Sequence, residues 1–162
     1  FLQVAGQLPF FFSLLCLAAL FSVTARSAVA SALPGRYQGG PRATAGMSGA
    51  LALGLFLYAQ VFTLPFSGGH DVSQTLAHAV NCCSLVVAWS APVALVAFGV
   101  ARKAMPLSPR LTAALGALSA LIVGSLVMQI HCPIDCSLHR LAGHLLPAVL
   151  IPGVLLSLMR TK

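Results

Sequence analysis

The sequence predicts an all-α protein, a polytopic transmembrane helix bundle with five spans in this chain. Of its 162 residues, 59% are hydrophobic and only 7% are charged, whereas soluble domains carry about 25% charged residues. Five apolar stretches approach or exceed the roughly 20 residues that a helix needs to cross a bilayer. Because backbone amides and carbonyls must be bonded internally in lipid, each stretch is expected to form a helix.

The five spans follow one another along the chain, and Pro or Gly lies in most of the gaps between them. Each stretch is too long for a buried strand. The predicted spans are residues 7–25, 47–66, 76–100, 111–130 and 138–159.

Local signals mark the start of the third span and predict irregularities in two of the helices. Asp71 and Ser73 can cap the third helix, because their oxygens accept from its free amides and a negative charge suits that end. Pro92, Pro147 and Pro152 lie within spans. Each predicts a kink, because proline removes a backbone donor and clashes with the preceding turn.

Small residues recur at every fourth position on two spans. Such faces allow helix backbones to approach closely in lipid, although Gly and Ala are also simply common in membrane helices. The two stripes are Gly46, Ala50 and Gly54 on the second span, and Gly116, Ala120 and Gly124 on the fourth.

Basic residues give the bundle a direction. Eight of the nine lie at the same predicted end, which the positive-inside rule makes cytoplasmic, with the C-terminus inside. Short juxtamembrane clusters of this kind indicate orientation and lipid contact rather than binding of nucleic acid. The eight are Arg26, Arg36, Arg42, Arg102, Lys103, Arg110, Arg160 and Lys162, and the ninth is Arg140.

The opposite, outer end gathers all five histidines and four of the five cysteines. The fifth cysteine, Cys16, lies in the middle of a span and is predicted to be a packing residue. The outer residues are His70, His78, Cys82, Cys83, His131, Cys132, Cys136, His139 and His144.

A metal site is the first chemistry that this outer group supports. Thiolates and imidazoles suit zinc or copper, and four such ligands make a closed structural zinc site. His139 and His144 are five residues apart, about 140° around an α-helix, so one ion would need reach from both rings. The candidate ligands are Cys82, Cys132, Cys136, His139, His78, His131 and His144.

Three other interpretations of the outer group stay open. A thiol pair could form between Cys82 or Cys83 and Cys132 or Cys136 in an oxidising compartment, as a structural bond or a redox switch. Haem could be held by two of the histidines at the membrane edge. The side chains could also simply hydrogen-bond loop carbonyls. The sequence has no G-x-S-x-G, H-E-x-x-H or Gly-rich phosphate motif, so no enzyme is predicted.

The second half of the chain, from about residue 77, resembles a known family. A cysteine opens a helix that contains Pro92, the basic segment 101–110 follows, and a Gly/Ala-rich span ends in His131-Cys132-Pro133 with His144 downstream. This pattern is similar to the C-terminal part of the NrsF family of bacterial membrane-bound anti-sigma factors. The first two spans match it only in topology.

The resemblance implies six helices in the full-length protein and a cytoplasmic N-terminal segment that holds an extracytoplasmic-function sigma factor inactive. That segment and the first helix are expected to precede Phe1. It also implies that cysteines at Cys82 or Cys83 and at Cys132 sense metals or oxidants on the periplasmic side of the inner membrane. Cys136 and His139 add to the family pattern and favour a metal.

The leading hypothesis is therefore a membrane-bound anti-sigma factor that senses metal or redox stress. Two other functions remain open from the sequence. One is an accessory structural subunit of a larger membrane assembly, and the other is an electron carrier that holds haem or copper.

Overall fold

The computed structural model describes residues 8–32, 39–62, 71–104, 109–134 and 136–158. These residues are almost entirely helical, without a strand among them, which confirms the predicted fold class. The helices are α1 (Leu8–Ala32), α2 (Gly39–Phe62), α3 (Val72–Ala104), α4 (Pro109–His131) and α5 (Ser137–Arg140), then a π-helical segment (Leu141–Leu145) and α6 (Leu146–Leu158). The last three are continuous and together are called the fifth span.

Within these described ranges, four helical stretches are long and apolar enough to cross a membrane, namely Phe10–Ala32, Val72–Lys103, Pro109–His131 and Ser137–Leu155. The second predicted span corresponds to α2, which has 24 residues. Its apolar part, Gly49–Tyr58, is shorter. The chain therefore has the composition and helix lengths of a membrane protein.

Helix α4 lies at the centre of the bundle, antiparallel to both α1 and α3. At one end, the hydroxyls of Ser31 in α1 and Thr112 in α4 are 2.8 Å apart. At the other end, Cys82 of α3 lies beside Cys132, which directly follows α4. The fifth span packs against α3 and α4, and α2 packs against α1.

Two apolar cores flank α4. The core between α1, α2 and α4 contains Cys16, Leu17 and Phe56, so Cys16 is the packing residue that its mid-span position predicts. The core between α3, α4 and α6 contains Val86 and Met128. Many large apolar side chains outside these two cores are exposed on the surface of the bundle.

One of the two small-residue stripes forms a helix interface. Gly116, Ala120 and Gly124 are all buried. A Cβ atom placed on Gly124 would overlap the backbone carbonyl of Val86 in α3, so the two backbones are in direct contact there. A stripe of glycine and alanine permits this approach between α3 and α4.

The other stripe does not pack within the described part of the chain. Gly46, Ala50 and Gly54 of α2 are exposed, and a Cβ on either glycine would meet nothing within 4 Å. For this stripe a close helix interface is not seen among the described residues, and both interpretations of the pattern stay open.

Capping at the start of α3 is confirmed for Asp71, whereas the Ser73 hydroxyl bonds Asp71 instead of accepting from a free amide. The hydroxyl of Ser73 donates to a carboxylate oxygen of Asp71, and the amide of Thr75 donates to the Asp71 carbonyl over 3.0 Å. The Ser73 hydrogen bond, helped by amides of the first turn, holds the pKa of the Asp71 carboxyl below its usual value. Asp71 is therefore the N-cap of a 33-residue helix.

The prolines within spans do not end the helices, and the predicted kinks stay predictions. Helix α3 continues through Pro92 and α6 through Pro152. Pro147 lies at the start of α6, directly after the π-helical segment. Because Pro147 has no amide hydrogen, the carbonyl of Gly143 lacks its α-helical donor, and irregular helix at this point is the physical consequence.

Charge and chemistry separate along the bundle axis. The basic residues Arg26, Arg102, Lys103 and Arg110 lie toward one end, near the Ser31 and Thr112 contact. The described cysteines and histidines at helix ends lie at the other end, where Arg140 is the exception. Arg36, Arg160 and Lys162 lie outside the described residues.

Candidate metal centre

Four side chains that can bind a metal meet at the cysteine-bearing end of the bundle. One ligand atom from each of Cys82, Cys132, His139 and His144 lies within 4.8 Å of the others. They come from α3, from the residue after α4, and from the fifth span. We call this set the Cys/His group. Three of its members are buried and Cys132 is partly buried.

The contacts within the Cys/His group are short. The Sγ atoms of Cys82 and Cys132 are 3.8 Å apart, and both cysteines are free thiols. The Sγ of Cys132 is 3.1 Å from Nε2 of His139. The rings of His139 and His144 meet edge to face, with centroids 5.4 Å apart. Each side chain therefore touches another member of the group.

Three imidazole nitrogens in the group are buried without a hydrogen-bond partner. They are Nδ1 of His139 and both Nδ1 and Nε2 of His144. The two histidines are 0% and 2% exposed, respectively. A buried polar atom without a partner costs about 1–3 kcal/mol, so the arrangement is unfavourable unless something else bonds these atoms.

The donor set fits a tetrahedral ion. Two sulfur atoms that are each about 2.3 Å from one tetrahedral zinc lie about 3.8 Å apart. That value equals the observed separation of the Cys82 and Cys132 Sγ atoms. A weak S–H···S hydrogen bond gives a similar separation, so the same geometry also fits a reduced dithiol.

Helix α3 delivers Cys82 because of its buried stripe. The buried residues Thr75, Ala79, Cys82 and Val86 recur at intervals of three or four, which places them on one helix face. His78 is outside this stripe and exposed, although it is only four residues from Cys82. Helix α3 therefore contributes a thiol but no imidazole to the group.

The π-helical segment explains how the fifth span delivers two histidines. The amide of Leu146 donates to the carbonyl of Leu141, five residues back, instead of four as in an α-helix. A π-helical turn contains more residues than an α-helical turn, so two residues five positions apart lie closer to the same helix face when such a turn separates them. His139 and His144 have this spacing, and the widened turn removes much of the 140° separation expected for a regular α-helix.

A glycine allows the fifth span to approach α3 beside the group. A Cβ on Gly143 would lie 3.1 Å from the carbonyl oxygen of Ala79 and 3.2 Å from Cβ of Cys82. Both distances are shorter than most Cβ contacts in proteins, and the first is to a backbone atom. The lack of a side chain at Gly143 thus allows the fifth span to place His144 close to Cys82.

Several predicted ligands are not among these four residues. His78 and His131 are exposed, and their Nδ1 atoms contact carbonyls of their own helices, Gln74 at 2.7 Å and Val127 at 2.9 Å. These carbonyls lie four residues back in the same helices and are not the loop carbonyls of the alternative.

The remaining cysteines are placed differently. Cys136 is 1% exposed at the N-cap of α5 but is not one of the four. Cys83 is partly buried. Of the thiol pairs left open by the sequence, the structure brings Cys82 and Cys132 together. His70 lies outside the described residues.

Two buried polar residues near the group were not singled out from the sequence as site residues. Arg140, adjacent to His139, is 3% exposed. Gln129, one turn before Cys132, is 2% exposed, and both polar atoms of its amide lack a hydrogen-bond partner. A glutamine inside an apolar span is the signal that could have identified it.

Comparison with known protein families gives a match over nearly the whole chain. The family described as "NrsF: Negative regulator of sigma F" matches residues 1–160. The similarity therefore extends over the first two spans as well as the second half of the chain. Neither a curated protein nor a solved structure matches the chain.

Proposed function

The chain belongs to the NrsF family of negative regulators of sigma F, and from that premise we propose that it is a membrane-bound anti-sigma factor that senses metal or redox stress through the Cys/His group. The family description is of a regulator rather than an enzyme, and it implies a sigma factor as partner. The finer proposal is that this partner is of the extracytoplasmic-function type.

The observation that carries the sensing proposal is the set of four ligands, three of them buried and Cys132 partly buried, in which both imidazole nitrogens of His144 lack a hydrogen-bond partner. A metal ion bonded to His144 would satisfy one of these nitrogens and remove part of the desolvation cost. Two thiols and two imidazoles are a donor set that zinc and copper favour. Cys82, Cys132, His139 and His144 are accordingly the proposed ligands.

Charge supports a small cation at this position. Two thiolates balance the charge of Zn²⁺, so a zinc centre would be neutral in an apolar environment. Cu⁺ with the same ligands would leave one negative charge, close in sequence to the buried Arg140. Ligand atoms within 4.8 Å of one another suit a single ion better than the wide ring of a haem.

Redox sensing can use the same residues. Oxidation of Cys82 and Cys132 to a disulfide transfers two electrons and two protons to the oxidant, and it removes two of the four metal ligands. Metal binding and thiol oxidation are then mutually exclusive states of the group. Only a shift of less than 2 Å in the sulfur positions separates them.

Signalling requires that the two states of the group favour different helix packings. The group joins α3, the end of α4 and the fifth span, so loss or gain of a metal would change how these elements pack. The opposite end of α3 and α4 carries Arg102, Lys103 and Arg110, which we assign to the cytoplasmic side of the bacterial inner membrane. The Cys/His group is then periplasmic.

The direct test is metal analysis of the full-length protein purified without chelators. We expect about one zinc or copper ion per chain, and loss of most of it in Cys82→Ser and His144→Ala. Cys83→Ser and His78→Ala are matched controls, because they alter a neighbouring thiol and an exposed imidazole; both should retain the metal. Absence of metal from the wild type after reconstitution, or equal loss in the controls, would contradict the metal site.

The regulatory half has a separate test. The full-length protein should co-purify with a sigma factor, and the same oxidant or metal that changes the Cys/His group should reduce that association. Cys82→Ser should abolish the response, and Cys83→Ser should not. Failure to bind any sigma factor would contradict the regulatory role and leave the metal measurement unaffected.

These measurements also separate the other two candidate functions. An accessory subunit would co-purify with large membrane partners in mild detergent. A haem carrier would show a strong visible absorption band with the purified protein, and a copper electron carrier would show copper that changes oxidation state reversibly.

A further inference from the structure

A cavity of about 340 Å³ lies between α1, α2, α4 and the fifth span. Its walls include Leu17 of α1, Phe56 of α2, Ile122 of α4 and Val149 of α6. Ser125 and His144 are the polar residues among those that line it. This volume is within the range of about 300–1,000 Å³ typical of ligand pockets.

The cavity is not suited to water. Ordered buried water needs two to four polar partners, and apolar cavities stay dry. The hydroxyl of Ser125 is already bonded, at 2.9 Å from the carbonyl of Leu121 and 2.7 Å from that of His144. His144 is the other polar lining residue, but the surface of the cavity wall is almost entirely apolar, so the walls favour a hydrocarbon.

The cavity opens on the side of α6. Among its lining residues, Val149 is 56% exposed and Gly153 is exposed. A Cβ on Gly153 would meet nothing within 4 Å. Because Ser137–Leu155 is long and apolar enough to cross a membrane, the medium next to this opening in a bilayer is the hydrocarbon of lipid tails.

We propose that the cavity is a binding site for the acyl tail of a membrane lipid, which enters beside Gly153 and packs against Leu17 and Phe56. At about 30 Å³ for each water-sized group, the cavity has room for on the order of ten non-hydrogen atoms, which is part of one tail. His144 belongs both to the cavity wall and to the Cys/His group, so a bound tail contacts a member of that group. The site requires neither a metal nor a sigma factor and goes beyond the proposed function.

Photolabelling of the full-length protein tests this site. The protein is placed in nanodiscs of phosphatidylglycerol that carries a diazirine midway along one acyl chain, irradiated, and analysed by peptide mass spectrometry. We expect adducts on Leu17 and Phe56, which are only 2% and 1% exposed and cannot be reached by lipid at the outer surface. Adducts on the exposed Leu95 and Val96 of α3 report labelling by bulk lipid.

Filling the opening should remove the internal adducts. Gly153→Leu adds a side chain where there is space and is expected to reduce labelling of Leu17 and Phe56 at least fivefold, with Leu95 and Val96 unchanged. Gly99→Leu, on α3, is the matched control because its Cβ position is also open; labelling of the cavity should not change. Val149→Phe is a second blocking variant, should Gly153→Leu not fold.

Three results would overturn the proposal. One is labelling of the α3 surface without adducts on Leu17 and Phe56. Another is unchanged internal labelling in both blocking variants. The third is loss of internal labelling on addition of an equimolar decyl-chain quinone, which would assign the cavity to a different lipophile.

Discussion

His139 and His144 are buried, and neither ring nitrogen of His144 has a hydrogen-bond partner among the described residues. Two exposed histidines at the same end of the bundle, His78 and His131, reach carbonyls of their own helices. The difference predicts that the buried pair responds to a ligand and the exposed pair does not.

Replacing His144 by leucine tests this difference. Without metal, His144→Leu removes two unsatisfied nitrogens that each cost about 1–3 kcal/mol, so thermal stability should be unchanged or higher. With zinc at 100 times its dissociation constant, binding stabilises the wild type by about 2.7 kcal/mol, or roughly 5–10 °C in Tm for a chain of this length. Thermal unfolding in detergent should show that this increment is lost in His144→Leu and kept in His78→Leu. A full zinc-dependent increment in His144→Leu would contradict the role of this residue.

The separation of Cys82 and Cys132 predicts selective oxidation. Their Sγ atoms are 3.8 Å apart, so a thiol oxidant should join them within one chain. Quantitative thiol labelling of the denatured, metal-free protein should fall from five cysteines to three after mild oxidation. Cys83→Ser should lose two thiols as the wild type does, whereas Cys132→Ser should not lose this pair. Peptide mapping that finds Cys83 or Cys136 in the first disulfide formed would contradict the assignment.

The sequence could predict that cysteines and histidines form the site, but not which of the neighbouring cysteines and histidines do so. Spacing does not distinguish Cys82 from Cys83, because the buried face of α3 depends on contacts with α4 and the fifth span. Likewise His78 and Cys82 are one turn apart, yet the stripe that includes Ala79 and Val86 leaves His78 exposed. Selection among neighbouring residues is a property of packing.

At the scale of elements, the π-helical segment determines how the fifth span faces the group. Deleting Ala142, within this segment, should remove the extra residue of the wide turn, while Pro147 still leaves the Gly143 carbonyl without an α-helical donor. His139 and His144 would then be four positions apart and still on one face. We expect the deletion variant to retain at least half of the bound metal, and insertion of one alanine after Ala142 to lose it, because a spacing of six suits neither helix type. Metal content of the deletion variant as low as in His144→Ala would contradict this account.

The contact between α3 and α4 gives a second prediction at this scale. A methyl group on Gly124 would overlap the carbonyl of Val86, so Gly124→Ala should destabilise the bundle by about 1–3 kcal/mol, as overpacking does. Gly54→Ala, on the exposed stripe of α2, should be neutral or stabilise by up to about 1 kcal/mol, because alanine favours helix over glycine. Unfolding in mixed detergents measures both. Equal effects would contradict the difference between the two stripes.

Helix positions were predictable from the sequence because apolar length alone specifies a span in lipid. The π-helical segment was not predictable from the sequence. Its local cause is Pro147, near the start of α6, and a proline there is equally consistent with a kink. The two small-residue stripes have the same pattern in the sequence and differ only in what lies beside them. Helix α4 is central and contacts α3 closely at Gly124, whereas a Cβ on Gly46 or Gly54 would meet nothing within 4 Å.

For the whole molecule, the separation of basic residues from thiols and imidazoles needed no structure, because alternate connections of a helical bundle lie at the same end. The antiparallel packing of α1 and α3 on α4 confirms this separation for the described residues. Packing also connects the Cys/His group with the basic end of the bundle. The group at one end touches α3, the end of α4 and the fifth span, and the first two of these helices carry basic residues at the other end.

The orientation in the membrane is a prediction for labelling in cells. In a background with all five cysteines replaced by serine, Gln74→Cys at the start of α3 should react with a membrane-impermeant maleimide in intact spheroplasts. Lys103→Cys at the other end should react only after permeabilisation, because the positive-inside rule assigns that end to the cytoplasm. Both positions are exposed, so the membrane rather than burial determines the difference. The reverse pattern would put the Cys/His group in the reducing cytoplasm, where a stable disulfide is rare, and would leave metal binding as the chemistry available to it.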